Sequence, residues 1–121
     1  TVWKLWGVPL AINSGDGMFA LAYEALWHLP ENGISPERTL QTAHLFSEAI
    51  RLLTEGQYLD MSFEDESDVE VTAYLQMIRG KTAALMDISA GLGALLADCA
   101  PACLDAYRRF GRNLGFAFQM E

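Results

Sequence analysis

The stretch Tyr74-Leu75-Gln76-Met77-Ile78-Arg79-Gly80-Lys81-Thr82-Ala83-Ala84-Leu85 runs on through Ile88 and Leu92 to Leu95 and Leu96. Residues three and four apart share one face of a helix, so Tyr74, Met77, Ile78, Lys81, Leu85, Ile88, Leu92 and Leu95 form a single stripe. The run is too long for a strand and shows no alternation of apolar and polar positions. It predicts a helix from about Val69 to Arg79, a kink or short break at Gly80, and a second helix from Lys81 to about Leu96. Lys81 falls in the middle of a core-facing stripe. An ammonium there is costly unless it is paired or looks onto a polar site.

The same pattern repeats on both sides. A first helix is predicted from about Leu10 to Leu29, stopped by Pro30 with Glu31-Asn32-Gly33 as a loop. Ser35 is placed to cap a second helix that has Pro36 at its first position and runs to about Met61. Pro101 opens a last helix that reaches the end of the sequence. No convincing strand, internal repeat or low-complexity segment stands out. On the second helix the apolar stripe Leu40, Ala43, Phe46, Ile50, Leu53 continues through Gln57 and Asp60. On the first, Asp16 shares a face with Ile12, Phe19, Tyr23 and Leu26. On the last, Leu104, Tyr107, Gly111, Leu114 and Gly115 lead to Phe118 and Gln119. Two readings fit polar residues placed this way. The groups converge on an interior site of a helical bundle, or they pair with one another, Lys81 with Asp60 for example. Periodicity alone leaves the two about even.

Composition narrows the classes. The 121 residues amount to one small domain, and 51% of them are hydrophobic, against roughly 45–50% in an ordinary soluble domain. Either the chain buries a large core or some of its apolar surface belongs against something else. The net charge of −8 speaks against nucleic acid, since phosphate neutralisation needs clustered Lys and Arg. No polybasic patch for anionic lipid is present. No segment is long and uncharged enough to span a bilayer: Asp87 interrupts Ala83–Ala97, and Asp16 and Glu24 lie within Val8–Leu29. Cys99 and Cys103 are read as reduced thiols of a cytoplasmic protein, not as a disulfide framework. His28 and His44 are read as structural. The acidic run Glu64-Asp65-Glu66-Ser67-Asp68 is read as a loop in which Ser67 or Asp68 caps the next helix.

The motifs decide between the open readings. Ala11-Ile12-Asn13-Ser14-Gly15-Asp16 through Leu21-Ala22 resembles the AINxGDxxxxLA helix of polyprenyl diphosphate synthases, the all-α trans-prenyltransferases. Gly56-Gln57-Tyr58-Leu59-Asp60 is similar to that family's GQxxD, and Tyr74 to Leu85 to its YxxMIxxKTAxL. Phe110-Gly111 through Leu114-Gly115-Phe116-Ala117-Phe118-Gln119 is similar to FGxxLGxAFQ. The four stand in the family's order and cover nearly the whole chain. The resemblance implies an all-α fold, the helical bundle of isoprenoid synthases. Residues 1–121 would form a partial domain lying between the family's two aspartate-rich metal motifs, neither of which is present. A truncated or proteolysed piece, inactive alone, is the expectation that follows.

The resemblance further implies head-to-tail condensation of isopentenyl diphosphate with an allylic diphosphate, dependent on Mg²⁺. Lys81 is then expected to supply positive charge at the departing diphosphate. Thr82 would donate a hydroxyl or shield the carbocation, and Gln119 would donate its amide to a phosphate oxygen. Asp60 is expected near the metal, directly or one shell out, supported by Gln57. The Mg²⁺ itself would be held mainly by aspartates that this sequence lacks. Phe19, Tyr23, Met77 and Phe118, with the small residues Ala20, Ala22, Gly91 and Gly93, are candidates for the walls of a hydrocarbon tunnel, although ordinary core is the commoner role for any one of them. The helix carrying Ile12 to Ala22 is expected near a homodimer interface, which would explain the apolar surplus around Trp3, Trp6 and Trp27. The competing readings are a noncatalytic subunit of a heteromeric prenyltransferase, a class I terpene synthase, and an unrelated helical interaction module. Retention of Gln57 and Asp60 together with Lys81-Thr82 favours a piece of a synthase over the first of these.

Overall fold

Ser35 and Pro36 start the longest helix as the sequence predicts. In the computed structural model, which describes residues 1–120, the Arg38 amide donates to Ser35 Oγ at 3.2 Å, and Thr39 Oγ1 donates to the Ser35 carbonyl. One orphan amide of the first turn is thereby satisfied. Helix α3, the third in the chain, then runs over Pro36–Phe63. It is preceded by α1 (Val2–Trp6), α2 (Val8–Trp27) and a 3₁₀ turn (Leu29–Asn32), and followed by α4 (Val71–Ile78). A turn of π-helix (Arg79–Ala83) leads from α4 into α5 (Ala84–Leu96), and α6 (Pro101–Met120) completes the order. The described residues contain no strand, so the all-α expectation holds.

The chain divides into two units, Thr1–Ala43 and His44–Glu121. In the first, α1 packs on α2, and α2 on the 3₁₀ turn. Gly33, at φ 85° in the left-handed region, closes that turn, a conformation that glycine adopts without a Cβ penalty. None of the side chains of α2 is buried, and Trp3, Trp6 and Trp27 are each more than half exposed.

In the second unit α6 lies along α5 and the π turn and also touches α4. The core is Ala49, Met77, Ile78, Ala83, Ala84, Ile88 and Ala94. Past the end of α5 stands Asp98, whose φ of 57° is left-handed, while the Cys99 amide reaches back to the Ala94 carbonyl. This is a C-terminal cap in which a short polar residue stands where glycine is usual.

Two local expectations are corrected. α4 begins at Val71 behind Glu70, with no side-chain cap, so neither Ser67 nor Asp68 plays that part. And the buried positions of α3 are Thr39, Thr42, Ala43, Ala49 and Gly56, while Leu40 is 62% exposed. The hydroxyls of Thr39 and Thr42 bond carbonyls of their own helix, which lets polar residues occupy positions a hydrophobicity pattern would reject.

Candidate functional site

The π turn is the centre of the candidate site. A π turn inserts one extra residue into a helix and is frequent at functional positions. Here it falls on Arg79-Gly80-Lys81-Thr82-Ala83, where the sequence predicts only a kink. Each of the two polar side chains it presents is met by a different helix. Lys81 Nζ donates to Asp60 Oδ2 of α3 at 2.6 Å, with both side chains a little over a quarter exposed. Thr82 Oγ1 donates to Gln119 Oε1 of α6 at 2.6 Å, also partly buried. Four of the residues singled out in the sequence, far apart along the chain, are thus brought together around one turn. The pairing of Lys81 with Asp60 is present.

The other candidates are placed differently. Gln57 is on α3, one turn before Asp60, and is exposed. Met77 is 5% exposed and belongs to the core of the second unit, whereas Phe118 is 65% exposed. Phe19 is 41% exposed and Tyr23 half-buried, both on α2 in the first unit. Gly91 faces an arginine: a Cβ there would stand 2.7 Å from Arg108 Cγ. The glycine makes room for the Arg108 stem. Gly93 has open space around it.

A second polar cluster went unread in the sequence. Asp87, with a side chain 10% exposed, accepts from Arg108 Nε at 2.7 Å and lies 3.8 Å from Arg112 Nε. With Glu48 and Arg79 these residues line a cavity of about 120 Å³ between α3, α5 and α6. The available signal was the face Gly80, Ala84, Asp87, Gly91, on which a lone acid sits among small residues. Its partners, Arg108 and Arg112, stand on α6.

Among the described residues no group of three or more His, Cys, Asp and Glu side chains gathers as a metal site would. Asp60 contributes one carboxylate, already held by an ammonium. These residues do not fit a Mg²⁺ site, which needs carboxylates and phosphates in octahedral array. Cys99 and Cys103 are free thiols, and the hydrogen bond with Cys103 is the main cause that raises the Cys99 thiol above its ordinary value.

The segment is an all-helical scaffold that gathers an ammonium, a hydroxyl, an amide and a carboxylate around one π turn. Comparison with known proteins makes that class specific. The family model described as polyprenyl synthetase matches residues 1–121, and the chain belongs to that family. It is 41% identical over 120 residues to (2E,6E)-farnesyl diphosphate synthase of Mycobacterium tuberculosis, covering 99% of this chain and 32% of that protein. It is 38% identical to geranylgeranyl diphosphate synthase of Saccharolobus solfataricus, covering 99% and 36%. Among solved structures it is similar to geranylgeranyl pyrophosphate synthetase from Pyrococcus horikoshii, with a TM-score of 0.89 at 38% identity, over 98% of this chain and 36% of that one. The chain therefore spans about a third of the length of the curated relatives it matches.

Proposed function

We propose that the full-length protein joins isopentenyl diphosphate head to tail to an allylic diphosphate. In this reaction the allylic C–O bond breaks and diphosphate leaves with the electron pair. The double bond of isopentenyl diphosphate then supplies two electrons for the new C–C bond. Loss of a proton regenerates an alkene. The observation that carries the reading is the gathering of Asp60, Lys81, Thr82 and Gln119 around the π turn in a chain of this family.

Each residue has a task the geometry supports. An ammonium has three N–H donors. Asp60 takes one at 2.6 Å and fixes the position of Lys81 Nζ, and two remain for oxygens of the leaving group, where preorganised charge counts most. Thr82 gives its hydroxyl hydrogen to Gln119. This turns the lone pairs of Thr82 Oγ1 toward developing positive charge. The same bond uses Gln119's carbonyl oxygen and leaves its amide N–H groups to donate to phosphate. Gln57, exposed one turn before Asp60 on α3, is proposed to support it. Mg²⁺, the counterion this chemistry calls for, is to be held by carboxylates beyond these residues, and no step here is derived through it. Phe19, Tyr23, Met77 and Phe118 remain proposed contacts of the hydrocarbon.

The protein is proposed to work in the cytoplasm as a homodimer. No helix among the described residues is long and apolar enough to cross a membrane, and the exposed tryptophans of α1 and α2 offer a surface for a second copy. The test is direct. The full-length protein, given Mg²⁺, labelled isopentenyl diphosphate and geranyl diphosphate, should form a longer prenyl diphosphate. Absence of any elongated product with allylic substrates of several lengths would refute the assignment.

A further inference from the structure

Two glycines bracket the π turn. At its start the backbone of α3 comes so close that a Cβ on Gly56 would lie 2.1 Å from Lys81 N and 2.5 Å from the Gly80 carbonyl carbon. The approach is mutual, since a Cβ on Gly80 would lie 2.6 Å from the Leu52 carbonyl oxygen and 2.8 Å from Gly56 Cα. At its end, a Cβ on Gly115 of α6 would lie 2.5 Å from Ala83 Cα. All of these atoms are backbone or Cα, so no side-chain rotation relieves the clash. Gly56, Gly80, Ala83 and Gly115 are all buried.

The spacing gives these contacts a meaning beyond packing. Residues four apart lie above one another on a helix face. Four residues after Gly56 on α3 comes Asp60, which holds Lys81; four residues after Gly115 on α6 comes Gln119, which holds Thr82. Each flanking helix thus carries the same device, a glycine that lets its backbone touch the turn and, one helical turn on, the side chain that grips it. We infer that Gly56 and Gly115 are positioning residues, which set the separation of α3 and α6 from the turn so that Asp60 reaches Lys81 and Gln119 reaches Thr82. The extra residue of the π turn rotates Lys81 and Thr82 toward two different helices, and the glycine contacts hold that rotation. Among the described helical glycines, Gly93 meets nothing within 4 Å, and Gly111, whose Cβ would lie 2.3 Å from the Met86 carbonyl oxygen, has Gly115 rather than a gripping side chain four residues on.

The inference rests on the reading of Lys81 and Thr82 as residues facing the diphosphate, and its test separates the two. In the full-length protein, Gly56→Ala should lower kcat by roughly 10- to 100-fold, the scale of a misplacement near one ångström, while Ser89→Ala, at an exposed hydroxyl bonded to the Leu85 carbonyl of its own helix, leaves it unchanged. In an Asp60→Ala background the same Gly56→Ala should cost less than about threefold, because the contact it disturbs has already lost its purpose. Gly115→Ala should show the same dependence on Gln119→Ala and none on Asp60→Ala. Equal costs in both backgrounds would mean that the glycines serve packing alone and would overturn the inference, even with Lys81 essential. If Lys81→Ala is itself without effect, the reading of the site fails first. Should Gly56→Ala not fold, hydrogen exchange of the unaltered protein decides. The Lys81 amide, covered by the Gly56 backbone, should exchange as slowly as those of the α5 core, and fast exchange there would overturn the inference.

Discussion

Breaking the Asp87–Arg108 pair should cost unequal amounts from its two sides. Asp87 has a side chain 10% exposed, and those of Arg108 and Arg112 are 40% and 43% exposed. Arg108→Ala leaves a carboxylate nine-tenths out of water with Arg112 at 3.8 Å and Arg79 lining the same cavity. Removing one partner of a fully buried pair costs about 3–5 kcal/mol. Arg112 and the partial exposure of the pair bring the expectation to about 3 kcal/mol. The Arg108 stem also fills the space over Gly91, so lost packing acts in the same direction. Asp87→Ala instead frees two guanidinium groups that already reach solvent, and it forfeits mainly one charge-assisted hydrogen bond, about 1.5–2 kcal/mol. The double variant should cost no more than about 3 kcal/mol, well short of the sum. Urea unfolding of the full-length variants measures this through midpoints at constant m-value. An Asp87→Ala cost equal to or above that of Arg108→Ala, or strict additivity, would refute the picture of a buried acid held by two half-solvated bases.

Other consequences can be checked with simpler tools. Gly93→Ala, in the interior of α5 with open space where the methyl would go, should stabilise the protein by about 0.5–1 kcal/mol, read as a raised unfolding midpoint. Ser35→Ala should destabilise it by about 1 kcal/mol through loss of the bond to the Arg38 amide, by the same assay. The isolated 121-residue chain should self-associate. Tyr107, Phe110, Leu114 and Phe118 make an exposed apolar stripe along α6, and α2 adds Leu10, Ile12, Met18 and Leu21. Sedimentation velocity across a concentration series reports it, and a single monomeric species at high concentration would contradict it.

How far the sequence speaks for itself can be seen residue by residue. Ser35-Pro36 and Pro101 mark helix starts by local chemistry, and both starts are where the residues put them. The position of Lys81 on an apolar stripe was legible too, as was Asp60 as its partner, because an unsatisfied charge on a core face demands one. The π turn was not legible. It sits where Gly56 and Gly80 come into close backbone approach, residues 24 apart in the chain, and periodicity within one helix carries no such information. For the same reason Leu40 read as core and is exposed, while Thr39 and Thr42, outside the expected stripe, are buried. Which face of α3 is covered depends on the neighbouring helices. The Asp87 cluster escaped notice because its arginines lie on another helix, and periodicity within α5 does not report them.

The central claim is that the Lys81–Thr82 turn meets the departing diphosphate. Lys81→Ala in the full-length protein tests it most directly, because Asp60 is partly exposed and loss of a half-solvated pair should lower stability by no more than about 1 kcal/mol. Steady-state turnover of isopentenyl diphosphate with an allylic diphosphate should fall by roughly 100- to 1,000-fold, the scale for losing one preorganised charge at a reacting oxygen, with circular dichroism unchanged. Turnover equal to that of the unaltered protein would contradict the account.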